Sequence, residues 1–256
     1  MDDCKKYLVM FSGGKDSFLT ACRILNGGNS VVLLSFNGGS VIAEKNLRHG
    51  ADRLIQRYGA DKVEYAGVYP TIATIQRLNS TWIYKTQKEL ADEYPYVTNC
   101  QFQCLHCQTA MWISAIAYCK AKDIHYIACG YRKSDVFCTG SPEYMDRVSE
   151  IARKFDCYIE TPVWDIENDW ERDQEMLYNQ FVPKVLEPKC LIGRAPLKGL
   201  SSNEHWDMIK YVDDVLYNKL WDLVDNLVPI FKNIKLFDES FSLIDYHYTH
   251  KDGEYY

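Results

Sequence analysis

The stretch Tyr7-Leu8-Val9-Met10-Phe11-Ser12-Gly13-Gly14-Lys15-Asp16-Ser17 decides how this chain is read. Its first five residues form a continuous apolar run, the pattern of a strand buried on both faces, and Ser12-Gly13-Gly14 ends that run in a tight turn. Asp16 stands where a helix N-cap belongs, Phe18, Leu19, Cys22 and Leu25 recur at helical spacing, and Gly27-Gly28 closes the helix. A glycine turn between a buried strand and a helix lets backbone N–H groups face phosphate oxygens. Gly13 and Gly14 permit close backbone approach, Lys15 adds positive charge, and the Ser12 and Ser17 hydroxyls add donors. The spacing is not the G-x-x-x-x-G-K-[ST] of kinases and GTPases, and no G-x-G-x-x-G is present.

Outward from this turn the pattern repeats. Val31 to Phe36 reads as a second buried strand, 43–58 as a helix with Leu47, Ala51, Leu54 and Ile55 on one face, and Lys62 to Val68 as a third strand. Residues 70–93 read as helical with a break near Asn79-Ser80, 95–107 as irregular and cysteine-dense, and 108–122 as a helix. Tyr126 to Cys129 is a fourth strand, followed by Gly130-Tyr131-Arg132-Lys133-Ser134-Asp135, a helix over 142–155 and a short strand near 157–163. Strands alternating with helices predict an α/β fold, a parallel sheet covered on both faces. From Asp165 onward helices are expected without strands, over 169–181 and 204–228, with a Pro- and Gly-containing loop at 183–203. The last helix carries Trp206, Ile209, Val212, Val215, Leu216, Leu220, Leu223 and Leu227 on one broad face, suited to core packing or to a homodimer. The expected division is an α/β domain over 1–165 and a helical C-terminal region over 166–256.

The 256 residues are 47% apolar and 25% charged, which excludes collagen-like and disordered classes. No apolar run approaches the ~20 residues that span a bilayer, and the N-terminal run is too short for a signal-peptide core, so a cytoplasmic enzyme without membrane partners is expected. The net charge of -6 argues against a sequence-blind nucleic-acid coat, which needs a basic surface. Ten cysteines in such a chain point to metal or catalytic use of some rather than to a disulfide framework.

Cys100, Cys104 and Cys107 have the spacing C-x3-C-x2-C just ahead of a predicted helix, whose N-terminus favours thiolates for metal binding or attack. Cys190 is a fourth candidate, in the second irregular segment. Cys22, Cys119, Cys129 and Cys157 fall on apolar faces and read as packing residues, while Cys4 and Cys138 stay unassigned. His106, inside the cluster, is expected to face solvent, and His247 and His250 to lie on the surface.

Ser12-Gly13-Gly14-Lys15-Asp16-Ser17 resembles the signature loop of the PP-loop ATP pyrophosphatases, over residues 5 to about 165. The resemblance implies an adenine nucleotide alpha-hydrolase-like, three-layer Rossmann-like sheet, here with a C-terminal helical extension. It also implies an ATP-dependent enzyme in which a substrate oxygen attacks the α-phosphorus, pyrophosphate leaves, and a sulfur or nitrogen nucleophile displaces AMP. On this resemblance Ser12, Gly13, Gly14, Lys15, Asp16 and Ser17 hold the ATP phosphates. Ser35 and Phe36 border the adenine, Gly130 belongs to the later glycine-plus-acid motif, and Asp135 holds Mg²⁺. Lys15, Asp16 and Asp135 are thus the expected catalytic residues.

The cysteines leave the nucleophile open. Their spacing is literally that of radical-SAM enzymes, although those place it after the first strand of a βα barrel. Cys104-x2-Cys107 with a distant Cys190 is similar to the cluster of iron–sulfur-dependent tRNA thiolation enzymes, implying a [4Fe–4S] cluster and sulfur insertion. Four cysteines on Zn²⁺ would resemble 7-cyano-7-deazaguanine synthase, together with Pro142-Glu143-Tyr144-Met145 and Thr161-Pro162, implying nitrogen transfer to a deazapurine carboxylate. Expected partners are a small-molecule or nucleobase acceptor, with tRNA a further candidate, and a sulfur or ammonia donor.

Overall fold

Alternation along β1 (Lys6–Met10) divides the core in two. Leu8 points to one side of the sheet, while Tyr7 and Val9 point to the other, because successive strand residues face opposite ways. The computed structural model describes residues 4–39, 41–42, 45–84, 87–134, 137–184, 189–190, 200–234 and 236. In it β1 pairs in parallel with β2 (Ser30–Asn37) on one side and with β5 (Tyr126–Ala128) on the other. Beyond these lie β4 (Val63–Pro70) and β6 (Tyr158–Glu160), giving a five-stranded parallel sheet in the order β4-β2-β1-β5-β6. The three-layer Rossmann-like expectation is met.

Helices α1 (Lys15–Asn26), α2 (Lys45–Tyr58) and α7 (Asp169–Tyr178) cover one face, burying Phe18, Leu19, Leu54 and Met176 with Tyr7, Val9 and Leu33 of the sheet. The other face is built on α5 (Asn99–Lys122), with α3 (Ile72–Tyr84), α4 (Gln87–Glu93), α6 (Pro142–Lys154), α8 (Ser202–Tyr211) and α9 (Tyr217–Asn233) around it. A π-helical turn over Val212–Leu216 joins α8 to α9, so the predicted 204–228 helix is continuous across this stretch. Its apolar face is buried within the chain at Ile209, Val212, Val215, Leu216, Leu220, Leu223 and Leu227, which removes it as a dimer surface; Trp206 instead points outward, 54% exposed.

Several boundaries differ from expectation. The segment 95–107 is not irregular beyond Thr98, which caps α5 in a capping box with Gln101 and starts the helix at Asn99. Helix α3 runs through Asn79-Ser80 without a break. Gly14, not Asp16, is the N-cap of α1. A strand does occur past Asp165: β7 (Lys189–Cys190) pairs antiparallel with β3 (Val41–Ile42). No described helix is long and apolar enough to cross a membrane.

Candidate active site

The strand order reverses at β1. From β1 the chain moves outward through β2 to β4, then returns to β1's other side to lay down β5 and β6. In open α/β sheets the crevice beyond the carboxyl ends of the strands at such a switch point is where ligands bind. Here it is walled by Ser12-Gly13-Gly14 after β1 and Gly130 beyond β5.

The turn is held by its own side chains. Ser17 Oγ donates to the Gly14 carbonyl at 3.0 Å and accepts from the Ser12 amide at 3.2 Å; the Gly14 amide donates to Ser12 Oγ at 3.2 Å. Gly13 has φ 74°, a left-handed conformation that only glycine adopts at little cost. Gly130 serves proximity instead. A Cβ there would lie 2.6 Å from Ser17 N and 2.8 Å from the Asp16 carbonyl carbon, so the end of β5 lies directly against the first turn of α1. Thr20 fastens the same junction, its hydroxyl donating to the Asp16 and Cys129 carbonyls at 2.9 and 3.3 Å.

Around this turn stands a charge network that the sequence did not disclose. Lys15 Nζ donates to both Asp173 carboxylate oxygens, at 2.7 and 3.0 Å. Asp16 faces Arg132 and Arg172, each at 3.3 Å. Asp169 accepts from both arginines at 3.0 Å, and Arg172 Nε donates to Asp173 at 3.0 Å. Asp169, Arg172 and Asp173 all come from α7, outside the segment that resembles the PP-loop proteins. Only the acid-and-base density of Asp-Trp-Glu-Arg-Asp on one helical turn could have signalled them. Burial pushes the Asp169 and Asp173 carboxyls up, but Lys15 and the arginines outweigh it and hold both below the usual aspartate range. The Arg172 side chain is only 7% exposed; burial disfavours its charge, yet Asp16 and the other carboxylates hold the guanidinium above its ordinary pKa.

The other expected ATP residues divide. Ser35 is fully buried and donates to the Phe11 carbonyl at 2.7 Å, so its hydroxyl ties the ends of β1 and β2 together. Phe36 is half-buried against the α5 side of the core. Lys133 is exposed. Asp135, like His247 and His250, lies outside the described residues.

The cysteine spacing proves to be a helical stripe. Cys100, Cys104 and Cys107 stand at i, i+4 and i+7 on α5, one face of the helix. That face meets the end of β2, where a Cβ on Gly38 would lie 2.9 Å from Cys107 Sγ. Cys190 on β7, opposite Val41, is near enough for its charge to act on both Cys104 and Cys107; Cys100 acts on Cys104. The expectation of lowered thiol pKa values is not met. Burial, then the neighbouring thiols, pushes Cys107 up to about 11 and Cys104 up as well. The helix-dipole effect fades within the first turn, which Cys104 and Cys107 lie beyond. Soft sulfurs suit zinc or an iron–sulfur cluster in kind, with no imidazole or carboxylate among them. Among the described residues, however, no group of three or more His, Cys, Asp or Glu is placed to hold a metal ion.

His106 does not face solvent. It is fully buried on another face of α5, 2.8 Å from the Tyr211 hydroxyl, so it stands apart from the thiols. Cys22, Cys119, Cys129 and Cys157 are buried as expected, Cys138 is buried too, and Cys4 is exposed.

No protein-family model matches the chain, and no curated protein matches its sequence. Solved structures do. A predicted subunit of a tRNA methyltransferase from Methanocaldococcus jannaschii is 15% identical, with TM-score 0.42, over 73% of this chain and 96% of that one. NMN synthetase from Francisella tularensis is 10% identical, with TM-score 0.51, over 92% of this chain and 90% of that one. The second likeness extends over nearly the whole of both chains and establishes a common fold.

Proposed function

We propose that the chain is an ATP pyrophosphatase that adenylates a substrate carbonyl, releasing pyrophosphate, and then replaces the activated oxygen with sulfur. The observation that carries this reading is the seating of Ser12–Ser17 at the sheet's switch point, with Gly130 packed against the first turn of α1. That arrangement leaves a helix N-terminus and a lysine beside a crevice where an oxyanion can approach. The fold shared with NMN synthetase from Francisella tularensis agrees with it.

In the first half-reaction the acceptor's oxygen attacks the α-phosphorus and pyrophosphate departs, its charge met by Lys15 and by the Arg132–Arg172 pair. The leaving group improves greatly, since the oxygen then departs as AMP rather than as hydroxide. Asp16, in the first turn of α1 and facing both arginines, orients those cations; Asp135 is the expected Mg²⁺ ligand. In the second half-reaction a sulfur nucleophile attacks the adenylated carbon, and AMP carries the oxygen away. A cluster held by Cys104, Cys107 and Cys190 would supply the bound sulfur. What favours sulfur is that Cys107 stands against Gly38 at the end of β2 and within electrostatic reach of Cys104 and Cys190. A second reading, nitrogen transfer to a deazapurine carboxylate with structural Zn²⁺, draws on Cys100, whose position on the same stripe offers a fourth thiol. A nucleobase or other small acceptor is proposed, with tRNA as the larger candidate, in the cytoplasm.

The test is product analysis on protein purified without oxygen, with candidate acceptors. AMP and pyrophosphate in equal amounts are expected, and Lys15→Ala should abolish both while the circular dichroism spectrum is unchanged. ADP and phosphate would overturn the reading. Iron and sulfide near four per chain support sulfur transfer; one zinc without iron supports the nitrogen chemistry.

A further inference from the structure

Lys15 is already occupied. Both oxygens of Asp173 accept hydrogen bonds from its ammonium group, taking the position that a phosphate oxygen would need. Lys15, Arg132 and Arg172 are matched by Asp16, Asp169 and Asp173, so the cations and carboxylates around the turn cancel in formal charge. A neutral site attracts a polyanion poorly, and one that must accept pyrophosphate gains by displacing a carboxylate.

Among the three carboxylates, Asp173 is the one that reaches Lys15, and it is 31% exposed. The helix carrying it is fixed independently. Two residues along α7, Glu175 accepts from Arg23 Nε at 2.7 Å, and Asn179 accepts from Asn26 at 2.6 Å, both pairs clamping α7 to α1. Arg172, the residue before Asp173, is almost fully buried and holds the start of α7 against Asp16. Asp173 can therefore leave by turning its own side chain, giving up its bonds to Lys15 and to Arg172 Nε, without moving α7.

We infer that Asp173 is an internal counter-ion for the phosphate loop, holding Lys15 until phosphate replaces it and thereby setting the affinity of the site. This rests on the reading of Ser12–Ser17 as an ATP-phosphate site. A partly exposed pair competes weakly, so removing the charge should tighten phosphate binding about three- to tenfold.

The experiment is calorimetric titration of the full chain with inorganic pyrophosphate in the absence of divalent cations, and then with MgATP. Asp173→Asn keeps the shape and removes the charge; Glu175→Gln, on the same helix and bonded to Arg23, is the control for lost negative charge. The expected result is tighter pyrophosphate binding by Asp173→Asn and unchanged binding by Glu175→Gln. Equal or weaker binding by Asp173→Asn overturns the counter-ion role while leaving the loop reading in place, and equal tightening by both variants overturns it as a general charge effect. A wild-type chain that binds neither ligand overturns the loop reading itself, and the inference with it.

Discussion

Gly130 shows how much one missing methyl group can decide. A Cβ there would fall 2.6 Å from the Ser17 amide nitrogen, a backbone atom fixed by the start of α1. Gly130→Ala must therefore displace either the end of β5 or the turn itself. Overpacking of this kind costs about 1–3 kcal/mol, and the loss should reach the site directly. The expected outcome is a lower Tm together with pyrophosphate affinity reduced more than tenfold, read by thermal melts and calorimetry on the same samples. An unchanged affinity would mean that the turn tolerates the shift. The turn and Gly130 were legible in the sequence because a glycine turn between a buried strand and a helix is a local pattern. Asp173 was not, because its meeting with Lys15 joins residues far apart in the chain and depends on which face of the sheet α7 covers. The burial of Ser35 was equally hidden: a hydroxyl at a strand end reads the same whether it faces a ligand or the Phe11 carbonyl.

At the scale of the element, α5 presents two separate sets of polar side chains on two faces. Its cysteine stripe meets β2 and β7, while His106 packs inward on Tyr211 of α8. Because α5 starts at Asn99, the cysteines form a stripe on a helix rather than a loop, and Thr98 with Gln101 three residues on is the local signal for that start. The same burial that lifts the thiol pKa values lowers that of His106 to about 3, with Lys219 adding to the effect. The folded state thus resists protonating His106, whereas the unfolded chain takes up that proton near pH 6.5. Between those values the unfolded state binds more protons, so stability from this group is complete above pH 6.5 and falls as the pH drops toward 3, by at most about 1.4 kcal/mol per pH unit. Urea titrations at pH 7.5 and 4.5 should show this loss in the wild type, and His106→Gln should remove that part of it. An identical pH dependence in the two proteins would place the acid sensitivity elsewhere.

At the scale of the whole molecule the question is whether residues 166–256 form a domain of their own. Their helices do not gather together: α7 joins α1 and α2 on one face of the sheet, and α8 and α9 join α5 on the other. Such division is invisible to a reading that marks where strands stop and helices begin, since amphipathic periodicity says that a face is buried but not against what. Phe231, near the end of α9, is fully buried with its ring 4.5 Å from Tyr69 of β4 and 5.4 Å from Tyr118 of α5. A chain whose last described helix completes the core of its sheet should unfold as one unit. Far-ultraviolet circular dichroism, which reports all helices, and tryptophan fluorescence, which sums six tryptophans including Trp112 in α5, Trp170 in α7 and Trp221 in α9, should give coincident urea transitions. Phe231→Ala should move both by the same amount, about 3–5 kcal/mol. Two separated transitions, with only the fluorescence component shifted by Phe231→Ala, would instead establish an independent C-terminal region, and the counter-ion supplied by α7 would then be a contact across a domain boundary.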